Sequence, residues 1–146
     1  MADVVTHLCT VLLPAAFIAR PKYVSVAALG AVWPDIPSRV IPLALEQVHR
    51  RLFALPDAAI WPWGVTHEPA ALLLSTWLLS RLFVQEQQSR VFRWLLVGVS
   101  LHLVVDLLQF HHGLGYYLLV PLSLARFELG WISSEATVPY ALPTAA

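Results

Sequence analysis

The chain has little charge, a single cysteine and no net charge. Of its 146 residues, 12% are charged and 58% are hydrophobic, and nine basic residues balance nine acidic ones. A typical soluble domain has about 25% charged residues, and a small chain needs many polar side chains to cover its surface. A neutral chain also offers nucleic acid no basic stripe to bind. The composition therefore argues against an ordinary soluble globule and against a nucleic-acid-binding protein.

The single cysteine, Cys9, excludes an intrachain disulfide and a zinc site built from cysteines. Residues 1–3 lack the basic side chains that open a cleavable signal peptide. We therefore expect the first apolar segment to stay in the mature protein. The length fits one domain over residues 1–146, with a frayed tail over 133–146.

Four apolar segments follow one another, separated by polar joints. They cover Val4–Ala19, Tyr23–Trp33, Ala70–Val84 and Val91–Gln109. A membrane-spanning helix needs about 20 residues; the fourth segment reaches this length, the first and third approach it, and the second does not. The segments predict an all-α fold, a small integral-membrane helical bundle. Its second segment is either extended by neighbouring residues or forms a half-helix buried among the others.

The connection between the second and third segments has a different pattern. Over Arg39–Leu55, apolar residues recur near helical spacing opposite a charged and polar face, and Trp61 and Trp63 follow. This pattern predicts a helix lying in the membrane interface, with the two tryptophans at headgroup level. An amphipathic helix of a soluble protein has the same pattern, so that alternative stays open.

If all four segments cross a membrane, the joints divide into two sides of unlike charge. One side carries five basic residues and one acid: Arg20, Lys22, Arg81, Arg90, Arg93 and Glu86. The other eight acids and all six histidines fall on the opposite side. The positive-inside rule makes the basic side cytoplasmic. We therefore expect the side that carries the histidines to face away from the cytoplasm.

The fourth segment contains a pattern typical of a metal site. His102 and Asp106 lie four residues apart in an apolar helix, so their side chains share one face. Ionisable groups inside a membrane are costly and indicate function by default, although a histidine bonded to an aspartate also joins helices. Gln109 and His112 follow in the same run. Imidazole and carboxylate ligands suit zinc, iron or manganese rather than calcium.

The other segments supply matching groups. Asp35 lies between two prolines after the second segment, and His67 and Glu68 begin the third. His7 lies in the first segment, so four segments each provide at least one candidate ligand, as in a helix-bundle metal site. The sequence therefore predicts a transition-metal site, with zinc as the first choice.

The order of these motifs resembles two known families. Thr-His near the start, G-x-x-x-P-D, G-x-T-H and H-x-x-x-D look like the bacterial membrane-bound metal-dependent hydrolases, the YdjM-like inner-membrane proteins, over the chain to about Gly130. The H-x-x-x-D-x-x-Q-x-x-H run is similar to a helix motif of the zinc-dependent phospholipases C, all-helical proteins that hydrolyse phosphoesters with clustered zinc ions. The resemblance implies that the metal ligands are His7, Asp35, His67, His102, Asp106 and His112.

The chain also departs from both patterns. Pro62-Trp63-Gly64 stands where the membrane relatives usually have H-R-G. The N-terminal tryptophan and the late H-x-x-x-E pair of the zinc phospholipases are missing. These departures favour one or two zinc ions over a larger cluster.

The expected function is metal-dependent hydrolysis of a phosphoester. A divalent ion lowers the pKa of a bound water to about 7 and neutralises charge on a phosphoryl oxygen. We expect Asp106 to bridge two ions, Asp35 or Glu68 to act as general base, and Gln109 to orient a ligand or the phosphate. Several arginines are candidates for binding an anionic headgroup, or else extend along the membrane interface: Arg39, Arg50, Arg51 and Arg126.

A site at the outer edge of an apolar bundle lies at headgroup depth. The expected partners are therefore membrane lipids, and the expected substrate is a phospholipid or another membrane-anchored phosphate ester.

Two alternatives remain open. The same ligands suit a non-catalytic metal-binding or metal-transport protein, and a purely structural set of interhelical hydrogen bonds would bind no metal. A homo-oligomer is compatible with the sequence.

Overall fold

The computed structural model of the chain describes residues 4–17, 21–37, 41, 44–45, 66–110, 116–119 and 122–133. These residues include the helices α1 (Val4–Ala16), α2 (Val24–Val32), α3 (Pro69–Ser80) and α4 (Gln85–Leu108), with a 3₁₀ turn (Pro21–Tyr23) before α2. Two short strands follow, β1 (Gln109–Phe110) and β2 (Ile132–Ser133). The described part is mostly helical, as predicted, apart from this strand pair.

The longest helix, α4, contacts each of the other three. Its buried residues recur every three or four positions and so form one face: Val91, Leu95, Gly98, Val99, His102 and Asp106. This face is apolar along most of the helix and ionisable near its C-terminal end. The helix begins at Gln85, so the stretch Gln85–Arg90, predicted as a joint, is helical. Glutamine, glutamate and arginine are good helix formers. Water hydrates their side chains, so this helical turn needs no packing partner.

The helices α2 and α4 pack backbone against backbone. A Cβ atom on Gly30 would overlap the carbonyl oxygen of Leu95, and a Cβ atom on Gly98 would overlap the carbonyl oxygen of Ala27. Small residues permit this close approach of two helices. The contact holds the end of α2 beside the turn of α4 that carries His102.

The helices α1 and α3 flank this pair. In α1, His7 and Val11 are buried one turn apart on the face toward α2 and α4. Pro69 is the first residue of α3, where its missing N–H costs no helical hydrogen bond. Every fourth residue of α3 is buried against α4: Leu72, Thr76 and Ser80.

The chain after α4 returns to the end of that helix. Gln109 in β1 lies opposite Ile132 in the parallel strand β2. Tyr116 and Phe127 exchange two backbone hydrogen bonds of 2.9 Å as an antiparallel bridge. Backbone hydrogen bonds from Leu129 to Leu107 and from Trp131 to Leu108 hold the C-terminal segment against the end of α4. The predicted frayed tail lies almost wholly outside the described residues.

One described helix is long and apolar enough to cross a membrane. α4 has 24 residues and reaches a mean hydropathy of 1.8, with 33% of its apolar window buried. α1, α2 and α3 have 13, 9 and 12 residues, fewer than the roughly 20 that a span needs. A core helix of a soluble protein also meets these criteria, so the predicted integral-membrane bundle is not confirmed. The predicted interfacial helix, Arg39–Leu55, lies largely outside the described residues.

Candidate metal centre

Three histidines and two aspartates meet in one buried group, which we call the His/Asp cluster. Each member is at most 3% exposed: His7, Asp35, His67, His102 and Asp106. His7 lies in α1, Asp35 follows α2, His67 precedes α3, and His102 and Asp106 lie in α4. The ligand atoms of two overlapping sets lie within 4.8 Å of one another. One set is His7, Asp35 and His102; the other is His67, His102 and Asp106.

The orientation of His102 is set by the backbone of α2. Its Nδ1 lies 2.6 Å from the carbonyl oxygen of Ala31. A carbonyl oxygen only accepts, so Nδ1 carries the proton and donates it. In the neutral ring, Nε2 then has a free lone pair, and it lies 3.2 Å from Oδ2 of Asp106. Metal-binding histidines are commonly held by this kind of hydrogen bond.

His67 has the same arrangement. Its Nδ1 lies 3.2 Å from the carbonyl oxygen of Pro34, and its Nε2 lies 2.9 Å from Oδ2 of Asp106 and 3.2 Å from Nε2 of His102. When both rings are neutral, their Nε2 lone pairs are directed toward each other and toward one carboxylate oxygen. Such a group of acceptors repels itself unless a proton or a metal cation lies among them.

His7 completes the cluster from the side of α1. Its ring stacks on that of His102, with centroids 3.6 Å apart, and its Nε2 lies 3.3 Å from Oδ1 of Asp106. Among the described residues, neither ring nitrogen of His7 has a hydrogen-bond partner, and neither does Oδ1 of Asp106. An unsatisfied buried polar atom costs about 1–3 kcal/mol. A cation would satisfy these atoms, and imidazole nitrogen and carboxylate oxygen are ligands that zinc takes.

Tyr116 belongs to the site, although sequence reasoning missed it. Its hydroxyl donates a hydrogen bond of 2.8 Å to Oδ2 of Asp106. Its ring stacks on that of His67, with centroids 5.5 Å apart. The backbone bridge to Phe127 holds this tyrosine in place. In the sequence, Tyr116 lies in a short apolar and aromatic stretch after the fourth segment, and no helical spacing from the ligands points to it.

Glu68 and Gln109 are buried near the cluster but are not members of either ligand set. Burial raises the pKa of the Glu68 carboxyl, and a hydrogen bond from the Tyr117 backbone opposes the rise. Gln109 directly follows α4 as its C-cap and is 1% exposed. The roles predicted for these two residues, general base and orienting group, stay predictions.

Arg126 contacts Tyr117. Its Nε donates to the hydroxyl of Tyr117 at 2.8 Å, and its guanidinium lies over that ring, 5.2 Å from the centroid. Its expected role in headgroup binding stays a prediction. The remaining predicted site residues lie outside the described residues: Arg39, Arg50, Arg51 and His112.

Comparison with known proteins identifies the family. The family model for zinc-dependent phospholipase C matches residues 1–138. No curated protein and no solved structure matches the chain significantly. The predicted resemblance to the zinc phospholipases is confirmed, whereas a relation to the YdjM-like membrane proteins is not shown. The family match and the ligand types of the His/Asp cluster together support zinc as the cofactor, as predicted. The chain belongs to the zinc-dependent phospholipase C family.

Proposed function

We propose that this protein is a zinc-dependent hydrolase that cleaves a phosphoester bond of a phospholipid. One observation carries the proposal: Nε2 of His67, Nε2 of His102 and Oδ2 of Asp106 lie within 3.2 Å of one another in a buried site. Membership of the zinc-dependent phospholipase C family supports the same reaction class.

The proposed zinc ligands are the five members of the His/Asp cluster, together with His112. The two carboxylate oxygens of Asp106 face different histidines, Oδ1 toward His7 and Oδ2 toward His67. This arrangement supports a carboxylate shared between two ions. Bound zinc would lower the pKa of a water molecule to about 7 and neutralise charge on a phosphoryl oxygen.

The residues around the ligands have complementary proposed roles. Asp35 belongs to a ligand set, so Glu68 is the nearby acid that those sets leave available. Its Oε2 is buried without a hydrogen-bond partner among the described residues, so it can accept a proton from the attacking water. Tyr116 fixes Asp106, Gln109 orients a ligand or the phosphate, and Arg126 contacts the headgroup; Arg39 and Arg50 are further candidates for that contact.

We also propose that the whole chain forms one membrane-embedded domain, with α4 crossing the bilayer. The metal ligands of α4 lie near its C-terminal end, which would place them at headgroup depth. Large apolar side chains on α1 and α3 are 42–58% exposed, which is unusual for a soluble monomer: Leu12, Leu13, Leu73, Leu74, Trp77 and Leu78. Phe17, directly after α1, is 91% exposed. The proposed location is a bacterial inner membrane, with the site on the outer face. Release of the protein from membranes by alkaline carbonate would contradict this proposal.

The catalytic proposal is tested with purified protein and phospholipid substrates. Wild-type protein is loaded with zinc, its metal content is measured, and diacylglycerol release from phosphatidylcholine and phosphatidylglycerol in mixed micelles is followed. We expect D106N to lose most of its zinc and its activity. The matched control is E86Q, which changes an exposed acid in the first turn of α4 and should retain both.

Three outcomes would contradict the proposal. Zinc binding without release of a product from any phospholipid would favour a metal-binding or metal-transport protein. A wild-type protein that carries less than one equivalent of zinc would favour a structural role for the cluster. Full zinc content in D106N would remove the basis for the assigned ligands.

A further inference from the structure

Two adjoining cavities lie along α4 on the N-terminal side of His102. The first is a cleft of about 510 Å³ lined by Tyr23, Arg90, Arg93, Trp94 and Val97. The second, of about 110 Å³, lies between α1, α2 and α4, and its walls include Val11, Ala15, Ala27 and Leu101. Trp94 and Val97 line both cavities. The two cavities therefore meet at these two residues.

The first cavity is cationic. Arg90 donates a hydrogen bond of 2.8 Å to the hydroxyl of Tyr23, and the Lys22 ammonium lies 5.9 Å from the centroid of the same ring. Arg93, almost one turn further along α4, lines the same cleft. No carboxylate is among the described residues that line it. Arginine donors in this arrangement suit a phosphate group, which they bind through paired hydrogen bonds.

The second cavity is apolar. All its lining residues are aliphatic or aromatic, so it offers an acyl chain a surface of carbon atoms. Each buried methylene group stabilises such a complex by about 0.8 kcal/mol. Trp94, whose ring is nearly parallel to that of Tyr23 at 6.0 Å, lies at the boundary between the two cavities. Tryptophan and tyrosine favour the level at which lipid headgroups meet acyl chains.

The first cavity is distinct from the metal centre, whereas the second extends along α4 to Leu101, next to His102. Arg90 precedes His102 by twelve positions on α4, and a rise of 1.5 Å per residue separates them by about 18 Å along the helix axis. A lipid whose phosphate lies at Arg90 therefore cannot present that phosphate to the His/Asp cluster.

We propose that the two cavities together bind one intact anionic phospholipid. The phosphate contacts Arg90 and Arg93, and an acyl chain enters the apolar cavity beyond Trp94 and Val97. This lipid is a ligand rather than a substrate, because its phosphate stays remote from the zinc ligands. The proposal does not depend on the catalytic activity of the protein.

The charge requirement is tested by native mass spectrometry of the zinc-loaded protein in a non-ionic detergent. Phosphatidylglycerol and phosphatidylcholine with the same acyl chains are titrated separately. We expect one phosphatidylglycerol to bind at least tenfold more tightly than phosphatidylcholine, and R90Q/R93Q to weaken it at least tenfold. R81Q is the matched control, because Arg81 is also an exposed arginine and lies at the start of the α3–α4 turn; it should bind as the wild type does.

The acyl-chain requirement is tested with A15L, which fills the apolar cavity from α1 and leaves both arginines unchanged. We expect A15L to weaken binding of long-chain phosphatidylglycerol at least fivefold while its zinc content stays normal. Inorganic phosphate at the same concentration should not displace the lipid. The proposal would be overturned if the two lipids bound equally well or if R81Q lost as much lipid affinity as R90Q/R93Q. It would also be overturned if A15L kept the wild-type lipid affinity or if inorganic phosphate displaced the lipid.

Discussion

Replacing Gly98 with alanine should weaken zinc binding, although Gly98 is not a ligand. The new Cβ atom would overlap the carbonyl oxygen of Ala27 and lie 2.6 Å from the backbone nitrogen of Ala31. Both neighbours are backbone atoms, so no side chain can rotate away and α2 must move from α4. That movement lengthens the hydrogen bond between His102 Nδ1 and the carbonyl oxygen of Ala31, which is 2.6 Å long.

Two effects of opposite sign set the magnitude. Alanine is favoured over glycine in a helix interior by about 1 kcal/mol, whereas overpacking a tight contact costs about 1–3 kcal/mol. We therefore expect G98A to lower the free energy of unfolding of the zinc-free protein by up to about 2 kcal/mol. Loss of a hydrogen bond that orients a metal ligand typically reduces metal affinity 10–100-fold, and we expect a reduction in this range.

The assay combines zinc titration against a competing chelator with thermal unfolding of the zinc-free protein. S100A is the matched control, because Ser100 is an exposed residue of α4 two positions away. It introduces alanine into the same helix without touching α2. A G98A protein with wild-type zinc affinity and a higher Tm would refute the inference that the α2–α4 contact positions His102.

Three further predictions concern the cluster itself. Y116F removes the hydrogen bond to Asp106 and should weaken zinc binding 10–100-fold in a chelator competition titration, whereas Y117F should not. Equal zinc affinities of Y116F and the wild type would show that the Tyr116 hydroxyl is dispensable. Zinc at 100 times its Kd stabilises the folded protein by about 2.7 kcal/mol, so chelation should lower the Tm by roughly 5–10 °C for a chain of this size; an unchanged Tm in calorimetry would contradict a buried zinc site. E68Q should retain zinc but lose 10²–10⁴-fold in the rate of phospholipid hydrolysis if Glu68 is the general base; a rate near that of the wild type would assign the proton transfer elsewhere.

The helices were predictable because hydropathy and helical period are local properties of a sequence. Each of the four predicted apolar segments overlaps one helix, and His102 and Asp106 share a face because they lie four residues apart. The beginning of α4 at Gln85 was not predicted, because a polar stretch can form either a joint or an exposed helical turn. The packing of the bundle decides between them.

The membrane prediction depends on helix length and on what covers the apolar surface, and the sequence pattern fixes neither. Apolar composition indicates burial without saying whether protein or lipid covers the surface. The helices α1, α2 and α3 are shorter than the segments read from the sequence. Their length removes the direct support for a four-span bundle and leaves α4 as the described helix of sufficient length.

The sequence by itself determined the ligand types, the helical class and the zinc phospholipase resemblance, because residue identity and short spacing carry that information. Only the tertiary structure decided how the ligands are oriented. His67 takes its orientation from a carbonyl 33 residues away and His102 from one 71 residues away, while Tyr116 reaches Asp106 through a backbone bridge to Phe127. Every residue type has the same backbone carbonyl, so the sequence does not show which carbonyl a histidine contacts. Contacts across such separations form only when the helices pack.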